Sequence, residues 1–314
     1  MRMRGFVLAA GFGTRLRPLT DHLPKALVPF AGIPLLEHAV AFLEKNDVAP
    51  IGINAHYLPQ TIEGWVRDHQ AKYSLFVELP EIRGTGGALD VAREFLSGDD
   101  TFLIANADIV TRFDIKSKIN SFEASDDICR LIAFPPSGRG TILYDPQTMT
   151  YMGTPGKDEV SGNVASADFI GITLYRKEFL ELITGEDFSI IPVWKRAQNH
   201  GMRVSVAIAD DGFWRDLGTP LALAQAHFDL IDGLLPPFPP SCAGIDFQRK
   251  GRFPEVWEEE RKALCGPYCW IDDPSFEPQP GESRLVVFNE GKRYNRHNNN
   301  GLLITPWGEI GIDD

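Results

Sequence analysis

The stretch FVLAAGFGTRLRPLTDHLPKALVPF, residues 6–30, decides how the rest of the chain is read. It opens as a continuous apolar run that ends in glycine, the pattern of a central parallel strand buried on both faces. Gly11 and Gly13 let the backbone turn tightly and approach a ligand closely. Arg15, Arg17 and Lys25 then follow within one short segment. Open α/β folds bind ligands at the carboxyl edge of the sheet, where a strand gives way to a loop. Backbone N–H groups in such a turn form a concavity for anions. Arg15 can fork onto phosphate oxygens and Lys25 supplies a point charge. A polyphosphate fits this arrangement.

Working outward, apolar strand patterns alternate with amphipathic helix patterns. PLLEHAVAFLEKN (34–46), LPQTIEGWVRDHQ (58–70) and GGALDVAREFL (86–96) read as helices, while APIGINA (49–55), YSLFVELP (73–80) and TFLIAN (101–106) read as strands. Three strand–helix alternations in about a hundred residues predict a parallel sheet with helices on both faces. The middle is less regular. DDICRLIAF, SADFIGITLY and MRVSVAIA read as strands, and GTILYD with MTYMG as a hairpin. SIIPVWKRAQNHG is a helix that stops at Gly201. TPLALAQAHFDLI is another, with Thr219 as N-cap and Pro220 in its first turn.

After Ile231 the texture changes. LLPPFPP (234–240) reads as a stiff linker, and ten of the 23 prolines lie beyond residue 232, which disfavours long helices there. PEVWEEERKAL allows one short helix, SRLVVFN and GLLITP read as strands, and KRYNRHNNNG as a loop. No internal repeat of fixed period is visible. The expected fold is α/β, a mixed, mostly parallel sheet flanked by helices, with a small β-rich C-terminal extension. The expected domains are 1–232 and 233–314.

Composition narrows the function classes. The 314 residues are 43% hydrophobic and carry a formal net charge of -12. Nonspecific nucleic-acid binding needs a basic face, so this balance argues against it, but a locally basic pocket for a small anion is compatible with it. No run approaches the roughly 18–20 apolar residues of a membrane span. MRMRGFVLAAGFG has a basic start, but its apolar run is broken at once by glycine and arginine, unlike a signal peptide. A cytoplasmic protein without membrane partners is expected. The four cysteines, Cys129, Cys242, Cys265 and Cys269, make no disulfide framework. CGPYC has three residues between its cysteines rather than two, and Cys242 with His297 fits no zinc-finger spacing.

The opening stretch is not a Walker loop, and GFGTRL lacks the third glycine of the dinucleotide fingerprint. LAAGFGTRLRPLTDHLPKALVPFAGIPLLEHAV (8–40) closely resembles the N-terminal signature of the sugar-1-phosphate nucleotidyltransferases: an apolar strand, A-A-G-x-G-x-R, then P-x-T, then P-K-x-L-x-P. The resemblance implies a nucleotide-binding α/β fold and an enzyme that joins a nucleoside triphosphate to a sugar 1-phosphate, releasing pyrophosphate. It implies that Leu8, Ala10, Gly11, Gly13 and Thr14 surround the nucleotide. Arg15 would hold the leaving phosphates and Lys25 would contact the reacting ones.

FLIANADIV resembles the family's N-G-D segment, with Ala107 where glycine is usual, and GFWRDLGTP resembles its W-x-D-x-G-T-P. Both imply magnesium ligands, Asp108 and Asp216, the oxygen donors this ion favours. RGTGGAL resembles the second glycine loop, so Gly84, Gly86 and Gly87 are expected at the base. Glu78 lies upstream, where some relatives carry a base-reading glutamine, so the base stays open between UTP and GTP. The family's E-K-P lysine is not visible and Lys157 occupies its region. Short relatives acting on N-acetylmuramate or mannose 1-phosphate share NAHYL and FIGITLY, which brings Asn163 and Gly171 forward as sugar contacts. The resemblance covers roughly residues 4–231. The extension could form a lid or the interface of a homo-oligomer.

Bland readings stand beside these. Arg17 reads as a solvated charge, Trp214 as packing, Asn163 as a turn residue and Lys157 as simply exposed. A regulatory protein of the same fold that binds nucleotide or sugar phosphate without turnover is the alternative. Retention of Arg15, Lys25, Asp108 and Asp216 favours the enzyme. A glycosyltransferase would carry Asp-x-Asp, and NAD (106–108) is not that motif.

Overall fold

The computed structural model describes residues 3–236, 245–246, 248–256, 258–263, 265, 268–280, 282–288, 300–305 and 308–311. The chain divides into two compact units, residues 1–11 with 36–214, and residues 12–35 with 215–314.

The first unit is built on a nine-stranded sheet. Its strands are β1 (Met3–Leu8), β2 (Val48–Ala55), β3 (Ser74–Val77), β4 (Thr101–Asn106), β5 (Asp127–Phe134), β6 (Ile142–Asp145), β7 (Thr150–Gly153), β8 (Ala165–Arg176) and β9 (Arg203–Ile208). They lie in the order β3-β2-β1-β4-β8-β5-β9-β7-β6. β1 pairs parallel with β2 on one side and β4 on the other, β2 with β3, and β5 with β9. β8 runs antiparallel between β4 and β5. The expected mixed, mostly parallel α/β sheet is the one observed. Because β1 has its neighbours on opposite sides, the chain winds away from it in both directions. That switch point opens a crevice at the carboxyl edge.

Helices cover both faces, as expected. Neighbouring residues of a strand point to opposite faces. A Cβ on Gly5 would sit 3.0 Å from Leu43 of α1 (Leu35–Lys45), so glycine lets that helix approach closely. Phe6, the next residue, joins a core with Leu89, Leu96, Phe102, Tyr175 and Trp194. α2 (Pro59–Asp68) buries Ile62, Trp65 and Val66. The helix expected over 86–96 forms as two pieces, α3 (Gly84–Val91) and α4 (Arg93–Leu96), broken at Ala92. A further helix, α5 (Ile115–Glu123), was not expected. Its signals are Asp114, whose side chain accepts the Ser117 N–H, and Ile115 and Phe122, both buried and two turns apart on one face. α6 (Ile191–Asn199) ends just before Gly201, which takes a left-handed φ of 74°.

The second unit begins with three single 3₁₀ turns, Thr14–Leu16, Leu19–Asp21 and Lys25–Leu27. It continues with α7 (Pro220–Ile231), capped by Thr219 as expected, and a short helix α8 (Glu259–Lys262). The extension is β-rich. β10 (Ile245–Asp246), β11 (Gly251–Arg252), β12 (Cys269–Ile271), β13 (Ser283–Val287), β14 (Asn300–Thr305) and β15 (Gly308–Gly311) form one sheet in chain order. β11 to β14 are parallel neighbours. Gly251 pairs with Cys269, Cys269 with Leu285 and Leu285 with Leu302. Each strand thus lies some 16–18 residues beyond the last, and Phe253, Cys269, Ile271, Leu285 and Val287 stack into one apolar core. This is solenoid geometry. It escapes the sequence because the repeat resides in strand register and carries no recurring motif. Residues 237–240 of the expected linker, Cys242, and residues 292–299 of the expected loop, which include His297, lie outside the described residues. Among the described residues no helix is long and apolar enough to cross a membrane.

Candidate active site

The loop after β1 is fixed from below by a buried polar relay at the carboxyl ends of β1, β2 and β3. The Ala9 N–H donates to Asn54 Oδ1 at 2.6 Å. Asn54 Nδ2 donates to Glu78 Oε1 at 2.7 Å, and the other carboxylate oxygen accepts the Arg83 N–H at 2.7 Å. Asn54 and Glu78 are both 2% exposed. Sequence reading quoted Asn54 only as part of NAHYL, and it placed Glu78 only where some relatives carry a base-reading glutamine. Together they set the distance between the loop that starts at Ala9 and the one that starts at Arg83. Asn54→Ala would leave a buried N–H and a buried carboxylate oxygen without partners. We expect it to lower the unfolding free energy by about 2–3 kcal/mol, read by urea unfolding.

The second glycine loop becomes the N-terminus of α3. Gly84 has φ 66°, and a Cβ there would meet Phe188 O at 2.2 Å. At Gly86 a Cβ would meet Asp187 O at 2.4 Å, and the Gly86 N–H donates to Phe188 O at 3.0 Å. These glycines therefore make room for residues 187–188. The Gly86 amide is engaged by the protein itself and Gly87 is buried, whereas Thr85 is exposed and Gly84 partly so. The supporting segment is held by its own side chains. Asp187 receives both Arg196 guanidinium nitrogens, at 2.7 and 3.0 Å, and Thr184 N and Oγ1. The Arg196 fork, together with Thr184, holds the Asp187 carboxyl down at about 2 against the cost of burial.

Asp108 lies just after β4, half-buried, and the preceding Ala107 N–H donates to Leu8 O at 3.1 Å. That bond brings the NAD segment alongside the end of β1. Gly171 of β8 has φ 70°, and a Cβ there would sit 2.4 Å from Asn106 Nδ2, so glycine is what seats Asn106. Leu8, Asn106 and Gly171 line one cavity of about 420 Å³. Asn163 does not line it; it is exposed in the segment before β8, and Lys157 is exposed in a turn.

In the second unit, Gly13 has φ 64°, and a Cβ there would lie 2.8 Å from both Lys25 Cβ and Thr20 Cγ2. Thr20 Oγ1 donates to Gly13 O at 2.8 Å. The turn after Gly11 is therefore laced to the Lys25 segment. Buried His227 of α7 accepts the Ala31 N–H on Nε2 at 3.1 Å and bonds Leu223 O through Nδ1 at 2.8 Å. This sets the helix that follows Asp216 against the turn at Ala31, after the Lys25 segment. Asp216 Oδ1 accepts the Gly218 N–H at 2.7 Å, while Oδ2 lies 3.8 Å from Arg15 Nη2. A Cβ on Gly218 would be 2.7 Å from that Arg15 nitrogen, 2.7 Å from Asp216 Oδ1 and 3.0 Å from Lys25 Nζ. Three predicted charged residues thus converge on a glycine that sequence reading had quoted without assigning. The Arg15 and Asp216 side chains are 61% and 43% exposed, so their pair adds little stability and stays open to a ligand. Arg17 instead pairs with Asp21 at 3.1 Å and is 62% exposed, a solvated charge as expected.

Arg15, Lys25 and Asp216 belong to the second unit and Asp108 to the first. No cluster of three His, Cys, Asp or Glu side chains that could hold a metal occurs among the described residues. The two predicted ligands are carboxylates. Such oxygen donors fit magnesium, which keeps waters and substrate phosphates in its remaining positions.

The first unit is an α/β sheet with a topological switch point at β1, the place where open sheets of this class bind ligands. Residues 4–143 match the family described as Nucleotidyl transferase. N-acetylmuramate alpha-1-phosphate uridylyltransferase of Caulobacter vibrioides is 29% identical over 238 residues, covering 72% of this chain and 96% of the relative. Mannose-1-phosphate guanyltransferase of Hypocrea jecorina is 32% identical over 151 residues, covering 46% of this chain and 42% of the relative. The solved inositol-1-phosphate CTP transferase of T. maritima shares the fold, with a TM-score of 0.58 and 21% identity over 70% of this chain and 91% of that one. The resemblance to the sugar-1-phosphate nucleotidyltransferases is borne out. The three relatives are named for three different bases, so the fold leaves the base open.

Proposed function

We propose that this chain transfers a nucleotidyl group from a nucleoside triphosphate, UTP or GTP, to a sugar 1-phosphate. The observation that carries the reading is the convergence of Arg15, Lys25 and Asp216 beside Gly218. The sugar phosphate is anionic already and needs no general base. Its oxygen attacks the α-phosphorus in line, the bond to the β-phosphate oxygen breaks, and pyrophosphate leaves with the electron pair. The chain's contribution is positioning and charge neutralisation. Leu8, Ala10, Gly11, Gly13 and Thr14 hold the nucleotide, with Gly84, Gly86 and Gly87 shaping the base loop. Arg15 takes the leaving phosphates and Lys25 the reacting ones, and Gly171 is assigned to the sugar, whereas Asn163, exposed outside the cavity that Gly171 lines, keeps its reading as a turn residue. Magnesium held by Asp108 and Asp216 would, when bound, neutralise phosphate charge. The catalytic part is 1–232 with 233–314 as an appendage, the location is cytoplasmic, where nucleoside triphosphates are supplied, and a homo-oligomer is compatible with the extension.

Pyrophosphate release tests this, with UTP, GTP, dTTP, CTP and ATP each crossed with glucose, mannose, N-acetylglucosamine and N-acetylmuramate 1-phosphates, with and without Mg²⁺. The expected result is release that requires one triphosphate, one sugar phosphate and the metal together. Nucleotide binding without release from any pair would favour the regulatory reading.

A further inference from the structure

We propose that the cavity between β4, β8 and α6 receives the sugar, and that its lining selects a neutral hexose 1-phosphate with an apolar substituent, such as N-acetyl, over one bearing a carboxylate. The inference rests on the transferase reading above. Its position supports the assignment. The cavity is bordered by Leu8 at the carboxyl end of β1 and by Thr85 of the second glycine loop. A sugar lodged there abuts the segments assigned to the nucleotide at Leu8 and Thr85.

The chemistry of the walls sets the class. The volume is about 420 Å³, a size suited to one small ligand. Leu89, Ile104, Phe169 and Trp194 supply apolar surface, and the Phe169 and Trp194 rings meet edge to face at 5.7 Å and 86°. The polar side-chain atoms are hydroxyls and the Asn106 amide, and among the described residues no ionised side chain lines the cavity. Several hydroxyl oxygens are already occupied as acceptors. Thr141 Oγ1 takes the Phe169 N–H at 2.8 Å and Thr85 Oγ1 takes the Ile190 N–H at 3.0 Å. Their O–H groups are left to donate, which suits sugar oxygens and an acyl carbonyl. Tyr175 accepts the Trp194 indole N–H at 3.0 Å, and burial pushes its phenol up, so it stays neutral. Lys195, next to Trp194, is tied to Asp158, which also accepts the N–H of the lining residue Thr154. A carboxylate placed here meets donors and no counter-charge, and an unpaired buried charge is penalised far more heavily than a misfitting methylene.

The test compares N-acetylglucosamine 1-phosphate, N-acetylmuramate 1-phosphate and the carboxamide of the latter, on the full chain at saturating triphosphate. kcat/KM is expected to fall about 100-fold or more from the first to the second. The neutral amide should recover most of that loss, which separates charge from bulk. Thr154→Lys should narrow the gap at least about tenfold by bringing a cation to the wall. Equal or better turnover of the carboxylated sugar overturns the cavity assignment and leaves the transferase reading standing, as does an unchanged ratio in Thr154→Lys. No release from any pair overturns the transferase reading. Thermal shifts with each sugar phosphate alone then decide the cavity: stabilisation by the neutral ligands only supports it, and equal stabilisation by the carboxylated one overturns it.

Discussion

Lys25→Ala folds like the wild type and loses about a hundredfold or more in kcat, the scale expected when one preorganised charge contact to a reacting group is removed. The separation of the two effects follows from where Lys25 sits. Its turn is anchored by its neighbours, since Ala26 and Leu27 are buried and the Leu27 N–H donates to Pro24 O at 2.8 Å. Its Cβ packs where Gly13 leaves space, and alanine keeps that atom. Only the stem and ammonium are lost, and these reach the point beside Gly218 that Arg15 and Asp216 also reach. Lys25→Arg keeps the charge but exchanges a compact ammonium for a planar fork, so it should recover part of the rate. Pyrophosphate release gives kcat, and circular dichroism with thermal melting reports the fold. Wild-type turnover by Lys25→Ala would remove Lys25 from the reaction.

The sheet was legible because its signals are local. The run up to Ala10, the alternation through Asn106 and the Thr219–Pro220 helix start each depend on residues a few positions apart. The charged half of the site was legible for the same reason, since Arg15 and Lys25 share one motif with Gly11 and Gly13. The structural parts played by Asn54, Glu78 and Gly218 were missed because their meaning is a meeting. Asn54 matters through Ala9, 45 residues away, and Glu78 through Arg83 and Asn54 together. The glycines of RGTGGAL were singled out for the base, and the structure gives three of them a packing cause: the space they leave admits the Asp187 and Phe188 backbone and the Arg83 side chain. Close packing and ligand approach both demand glycine, and a sequence records the demand without its reason.

Asp127→Ala is expected to destabilise the protein by about 3–5 kcal/mol, because removing one partner of a buried ion network leaves the others uncompensated. Asp127 is fully buried. Its carboxylate accepts Arg130 Nε at 3.1 Å and also takes Arg130 Nη2, Arg203 Nη1 and Ser205 Oγ. These residues tie β5 to β9 and, through Arg130 to Ser121, to α5. None of this is visible in sequence, where Arg203 and Ser205 lie more than seventy positions away. Burial alone would raise the Asp127 carboxyl, but Ser205, Arg130 and Arg203 outweigh it and the group sits below its ordinary 3.8. A carboxyl depressed in the folded state contributes stability that is fully present above its unfolded pKa and is lost as pH falls through the folded one. The wild type should therefore shed this contribution below about pH 4, whereas the Asp127→Ala curve should be flatter across that window. Urea unfolding at pH 7 and pH 3 measures both slopes. A gap between the two proteins that stays constant from pH 7 to pH 3 would mean that the charge on Asp127 contributes nothing to the fold. The carboxylate touches no residue assigned to the nucleotide or the sugar, so turnover per folded molecule at pH 7 should stay near that of the wild type while the folded fraction falls.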